Sequence, residues 1–349
     1  MAAVRTNVVN DPVARAAYID GVNGLKAEPL TNAQGQRVTT ADLNIPAASP
    51  AVGAQPLSTY DLFVLWHYVT MMTPTPRGGG GRNAAHQGPV FLPWHRLMLM
   101  LLEANIARVL GRPTFGLPYW DWAQDGGLSP EAQPAAALWT APDGIGGDGD
   151  AAGEVQNGPF GAATPFRIAV VSNDAGNIFA VNRPLNRRLH SVRPNSGGQR
   201  WQLPTKAAVR AALDETPYDS FPWDSDSRTP GFRNGVEGWQ RLPTRPPNLH
   251  NLVHVWIGGD MAPATSPNDP VFYLNHCNVD RIWAAWQAMP GDRTYLPHDT
   301  ESATLFRHRT SDPLLSPFFQ RDAAGTPWLV SHMFDVSSVY TYDSLDVAN

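Results

Sequence analysis

The histidines of this chain carry its most specific chemical signal. His250 and His254 stand four residues apart, so on a helix their imidazoles leave one face a turn apart, the spacing at which two nitrogens reach one metal ion. Alone, the pair says little. The helical zinc-hydrolase pattern puts Glu directly after the first histidine, and here that residue is Asn251, which disfavours a metalloprotease. Context comes from His276 further along and from His67, His86 and His95 upstream, which complete two sets of three imidazoles. Neutral nitrogen donors with no cysteine and no carboxylate at ligand spacing suit copper or zinc. Two such sites side by side, each with an open position, favour dioxygen held between two coppers over hydrolysis, where carboxylates usually bridge the metals.

Helices must position these side chains. Apolar spacing predicts one over residues 12–27 capped by Asp11, and another from Ser58, carrying His67, that stops before Pro74 and the run from Gly78 to Gly81. A third is expected to start at Pro93, with His95 in its first turn, and to end at Gly111. His250 and His254 fall on a short helix over about 248–257. Asp269 and Pro270 open a strong helix to about Met289 that carries His276. Between residues 123 and 247 the pattern turns to Gly, Pro, Asp and Asn clusters with short periodic pieces such as Lys206 to Leu213; this reads as ordered loop, because scattered tryptophans such as Trp139 and Trp223 require burial. The tail from Pro290 reads as loop and a strand ending at Tyr342. The expected fold is mainly α, a four-helix bundle core holding a binuclear metal site, with long ordered loops and a few short strands.

Composition bounds the rest. The 349 residues, 42% hydrophobic, suffice for a large core. A formal charge of −5 offers no basic stripe for nucleic acid. One cysteine, Cys277, excludes an intrachain disulfide and fits a reducing compartment. No stretch has the length of a membrane span and the N-terminus lacks a signal-peptide pattern, so a cytoplasmic protein as encoded is expected, export with a partner protein being the alternative. Arg183, Arg187, Arg188 and Arg193 read as a solvated basic face. His190, His298, His308 and His332 read as surface or structural groups. The segment from Asp143 to Asp150 lacks the ligand spacing of a calcium loop.

The segment His86-Gln-Gly-Pro-Val-Phe-Leu-Pro-Trp-His95-Arg96, followed by Leu117-Pro-Tyr-Trp-Asp-Trp122, resembles the copper-A region of the tyrosinase and polyphenol oxidase family of type-3 copper proteins. Asn248-Leu-His250-Asn-Leu-Val-His254 and the stretch Ser266 to Trp283 resemble its copper-B region, Val4 to Val8 its opening strand, and Tyr340-Thr-Tyr342 its closing motif. The resemblance implies one copper domain over 1–349: a copper-A region at about 58–122, a loop insertion at about 123–247, a copper-B region at about 248–289 and a closing segment at 290–349. It implies that His67, His86 and His95 bind copper A and that His250, His254 and His276 bind copper B. Asp280 would pair with Arg5, while Asp121 and Arg96 brace the copper-A side. The activity implied is oxidation by O2 of small phenols, with hydroxylation of monophenols as well as oxidation of o-diphenols to o-quinones. Asn251 and Glu237 would hold a water that deprotonates the monophenol, if an insertion at Leu242 to Pro246 separates Glu237 from His250. Ala264 and Val255 would form the substrate gate, an open one given the small residues from Met261 to Pro267.

Departures accompany the likeness. Asn275 stands where the family usually has histidine, and Gly78 to Ala85 holds no cysteine for the thioether seen in many members; Cys277 reads as a small buried hydrophobe. The alternatives are a catechol or o-aminophenol oxidase without monophenol activity and, further off, a haemocyanin-like oxygen carrier. A separate helper protein for copper loading is compatible with a core that shows no C-terminal lid, and the oligomeric state is left open.

Overall fold

The computed structural model describes residues 2–76, 81–140, 142–225, 231–239 and 248–349. The glycine run from Gly78 to Gly80 and the expected insertion at Leu242 to Pro246 lie outside the described residues. In chain order the elements are β1 (Ala3–Arg5), α1 (Pro12–Ala27), α2 (Thr59–Met71), α3 (Phe91–Leu110), α4 (Trp122–Asp125), α5 (Ala137–Thr140), β2 (Ile168–Ser172), β3 (Ile178–Arg183), α6 (Lys206–Leu213), α7 (Phe232–Glu237), α8 (Leu249–Ile257), α9 (Val271–Ala288) and β4 (Tyr340–Tyr342). The fold is mainly helical. No described helix is long and apolar enough to cross a membrane.

Local chemistry explains where the site-bearing helices begin and end. Asp11 accepts from the amides of Val13 and Ala14, which fixes the start of α1, and Ser58 with Asp61 forms a reciprocal capping box at α2. Gly111 adopts a left-handed conformation, φ 62°, and ends α3 as expected. That helix starts two residues earlier than Pro93 suggested. Proline is tolerated within the first turn because amides there have no intrahelical acceptor anyway, so His95 sits in the second turn, not the first. On α9 the carboxylate of Asp269 accepts from the Val271 amide (3.1 Å).

Two short sheets join distant segments. β1 and β4 run parallel, with Ala3 opposite Tyr340 and Arg5 opposite Tyr342. β2 and β3 form an antiparallel pair. The stretch from 123 to 247 is more structured than a loop: it contains that hairpin and the short helices α4 to α7. Trp139, Phe160 and Trp223 are buried as their size requires, whereas Phe221 is exposed. The expected solvated basic face holds for Arg188, which is exposed, and is corrected at Arg187 and Arg183. Arg187 is fully buried and bidentate to Asp269 (2.6 and 2.7 Å), and Arg183 pairs with buried Asp260. A carboxylate distant in sequence, invisible to local charge patterning, accounts for each inversion.

Candidate metal centre

His67 lies on α2, His95 on α3 and His86 in the loop between them, where Asn83 Oδ1 accepts from the amides of Ala85 (3.0 Å) and His86 (2.7 Å). His250 and His254 lie on α8 and His276 on α9. The structure brings each set of three together: within a set the candidate ligand atoms are all within 4.8 Å of one another. The sets also touch. His95 and His276 stack with ring centroids 4.2 Å apart and planes inclined by 14°. Within the second set, His250 Nε2 is 3.1 Å from His276 Nε2.

Tautomers follow from the partners of Nδ1. His67 Nδ1 lies 2.7 Å from the Ala264 carbonyl, His95 Nδ1 2.8 Å from the Phe91 carbonyl, and His254 Nδ1 2.7 Å from the Met261 carbonyl. A carbonyl oxygen only accepts, so these rings protonate Nδ1 and leave a lone pair on Nε2. All three Nε2 atoms are buried and have no partner. Buried polar atoms without partners are costly, and a metal ion satisfies such a lone pair; carbonyl-oriented imidazoles are what copper or zinc takes as ligands. The residues present therefore fit a pair of metal ions.

Electrostatics point the same way. Burial pushes the His67 imidazole down to about 3, opposed by its bond to the Ala264 carbonyl, and pushes His254 down to about 4. His86, His95, His250 and His276 are also held well below the ordinary range, first by burial and then by neighbouring imidazoles. All six are neutral at pH 7 and ready to donate.

Two aromatic residues that the sequence reading passed over wall the centre. Phe91 lies 4.8 Å from both His95 and His250, and Phe272 lies 4.1 Å from His276 and 5.1 Å from His67. Their signal was present: each stands four residues before a histidine on the same helix and so shares its face.

Behind the histidines, Asp280 gathers a buried network. Arg96, next to His95, donates Nε to Asp280 Oδ1 (2.5 Å); Arg5, Tyr340 and Tyr342 donate to Oδ2 at 3.2, 2.5 and 2.6 Å. Burial raises the Asp280 carboxyl, yet Arg96 and Arg5 outweigh it and hold the group below the usual range. The expected Arg5–Asp280 pair is thus fully buried. Asp121 departs from its expected role, because it reaches Arg281 on α9 (3.3 Å), not the copper-A side.

Glu237 is buried on α7. Its Oε1 accepts from the amide of Gln87 (2.7 Å), the residue after His86, its Oε2 from Arg233 (2.9 Å), and its backbone carbonyl lies 3.3 Å from His250 Nδ1. Burial raises its carboxyl despite Arg233. Asn251 Oδ1 lies 3.0 Å from the same His250 nitrogen. Of the two residues expected at the gate, Ala264 is buried and Val255 is half-buried. Asn275 is buried and neither amide atom has a partner. Cys277 is buried with Sγ 3.3 Å from the Leu117 carbonyl. Of the other histidines, His298 is exposed and His332 half-buried. His308 is fully buried beside the His86 loop, 2.6 Å from Thr75 Oγ1.

Comparison with known proteins agrees with this geometry. The profile of the common central domain of tyrosinase matches residues 57–289, a span that includes all six histidines. The chain is similar to a tyrosinase of Streptomyces glaucescens, 38% identical over 272 residues covering 77% of this chain and 86% of that one. It is similar also to the grixazone synthase of Streptomyces griseus, 35% identical over 295 residues, 81% of this chain and 90% of the relative. Among solved structures, a polyphenol oxidase of Thermothelomyces thermophila shares the fold with a TM-score of 0.64 at 20% identity, over 98% of this chain and 89% of that one.

Proposed function

The chain belongs to the tyrosinase family and is by that membership a copper-dependent phenol oxidase, and on this premise we propose that it hydroxylates monophenols as well as oxidising o-diphenols to o-quinones. The reading takes residues 1–349 as one copper domain. His67, His86 and His95 would hold one copper and His250, His254 and His276 the other. The pair of coppers would supply dioxygen binding and the oxidising equivalents. The observation that carries the reading is the shared orientation of His67, His95 and His254: Nδ1 at a carbonyl and a buried, unpartnered Nε2.

The protein's own residues perform four tasks. Phe91 and Phe272 exclude water around the imidazoles and offer edges against which a phenol ring stacks. Asn251 and the Glu237 carbonyl fix the plane of His250. Proton removal falls to a water held by Asn251 and Glu237. A carboxyl raised by burial is closer in pKa to the phenol-to-water relay it serves than an exposed one. Ala264 and Val255 are assigned to the entrance; the Ala264 carbonyl already orients His67, so the two roles meet in one residue.

A second reading, a catechol or o-aminophenol oxidase, is favoured by one observation: both carboxylate oxygens of Glu237 and the Asn251 amide oxygen already have partners. Rates for a monophenol and for catechol on copper-loaded protein separate the two. The proposal expects both substrates to turn over, with Asn251→Ala and Glu237→Gln each lowering the monophenol rate about a hundredfold relative to catechol, the low end of the usual range for a proton-transfer group. A protein inert to monophenols, or variants that lose both activities in proportion, selects the second reading.

A further inference from the structure

On the far side of α8 from the histidines lies a cleft of about 780 Å³, within the range of small-molecule sites. Asn248 and Leu252 contribute to it. They are offset by two residues from His250 and His254, hence by about 200° around the helix, so α8 presents the metal ligands on one face and this cleft on the other.

The rest of the lining has a defined chemistry. Arg193 and Arg200 supply two guanidinium groups against the single carboxylate of Glu131. The Arg193 guanidinium lies 4.9 Å from the centre of the half-buried Trp201 ring. Gln199, Gln202 and Thr205 add neutral polar groups. His190 is a built part of the wall. It is 6% exposed and holds a left-handed backbone, φ 55°, that non-glycine residues seldom adopt. Its amide donates to the Trp256 carbonyl of α8 (2.8 Å), and its own carbonyl accepts from Arg200 (3.0 Å). Its buried Nε2 has no partner.

We propose that this cleft is a second small-molecule site, separate from the histidine cluster, for a small aromatic carboxylate whose ring lies against Trp201 and whose carboxylate meets Arg200 and Arg193. Guanidinium groups recognise carboxylates through paired N–H donors, and the face of the Trp201 indole not covered by Arg193 can stack with a flat aromatic ring. The net positive lining selects an anion, and the ring requirement separates it from inorganic ions.

Calorimetric titration of copper-loaded protein with 4-fluorobenzoate tests this, with acetate and fluorobenzene as half-ligands. The expected result is a saturable site that Arg200→Gln and Trp201→Leu each weaken about tenfold, the loss of one good contact, while catechol oxidation by the folded variants stays unchanged. Acetate and fluorobenzene should each bind at least tenfold more weakly than 4-fluorobenzoate. Identical isotherms for the parent and both variants would place any binding elsewhere and overturn the proposal. Acetate binding as tightly as 4-fluorobenzoate would also overturn it, leaving a plain anion site.

Discussion

A buried imidazole that gives its Nδ1 proton to a carbonyl retains a single nitrogen for metal, and three of the six histidines are fixed in this way. In the unfolded chain a histidine titrates near 6.5, whereas in the fold His67 and His254 are pushed down to about 3 and 4 and the other four also fall well below. Below pH 6.5 the unfolded state therefore binds more protons than the folded one, and stability falls as pH falls. Metal-free protein should melt at progressively lower temperature between pH 7 and pH 5, by calorimetry; a flat profile over that window would show that the imidazoles are not buried neutral. At this scale much was legible in the sequence, since the six histidines declared themselves by type and spacing. What stayed hidden were groups whose partners lie far along the chain. Arg187 read as surface until Asp269 covered it, and Glu237 read as an acid at a distance until its contacts with Gln87 and His250 appeared.

Helices hold the histidines in register, and their mutual approach is close. Gly21 of α1 faces Ile106 of α3 so tightly that a Cβ there would overlap the Ile106 side chain. Alanine gains about 1 kcal/mol of helix propensity over glycine, while overpacking a filled core costs about 1–3 kcal/mol, so the clash should win. Gly21→Ala is expected to lower the urea midpoint by the equivalent of about 1 kcal/mol; an unchanged or raised midpoint would mean that α1 and α3 are not packed this closely. The caps at Asp11 and Ser58 made α1 and α2 readable, because a side chain that satisfies end amides leaves a local signature. The start of α3 was misplaced because Pro93 serves any early position of a helix, not only the first. The hairpin of β2 and β3 escaped notice since part of its support is non-local: the Ser172 amide donates to Thr265 Oγ1 in the segment before α9, and Ala180 lies beside Ala47.

Across the whole molecule, segments far apart in sequence meet at one network. β1 and β4 carry Arg5, Tyr340 and Tyr342 to Asp280 on α9, and Asp280 holds Arg96 beside His95 on α3. The two histidine sets thus share one rigid support, and the stacked pair His95 and His276 marks where they touch. A family likeness over residues 57–289 gives this arrangement its chemistry, and we propose that it holds two coppers, one in each set. Copper content per chain, measured on protein produced with copper, tests that claim most directly. The predicted ratio is near two, falling to near one with loss of nearly all oxidase activity in His95→Ala. A fully active protein with one copper per chain would contradict it.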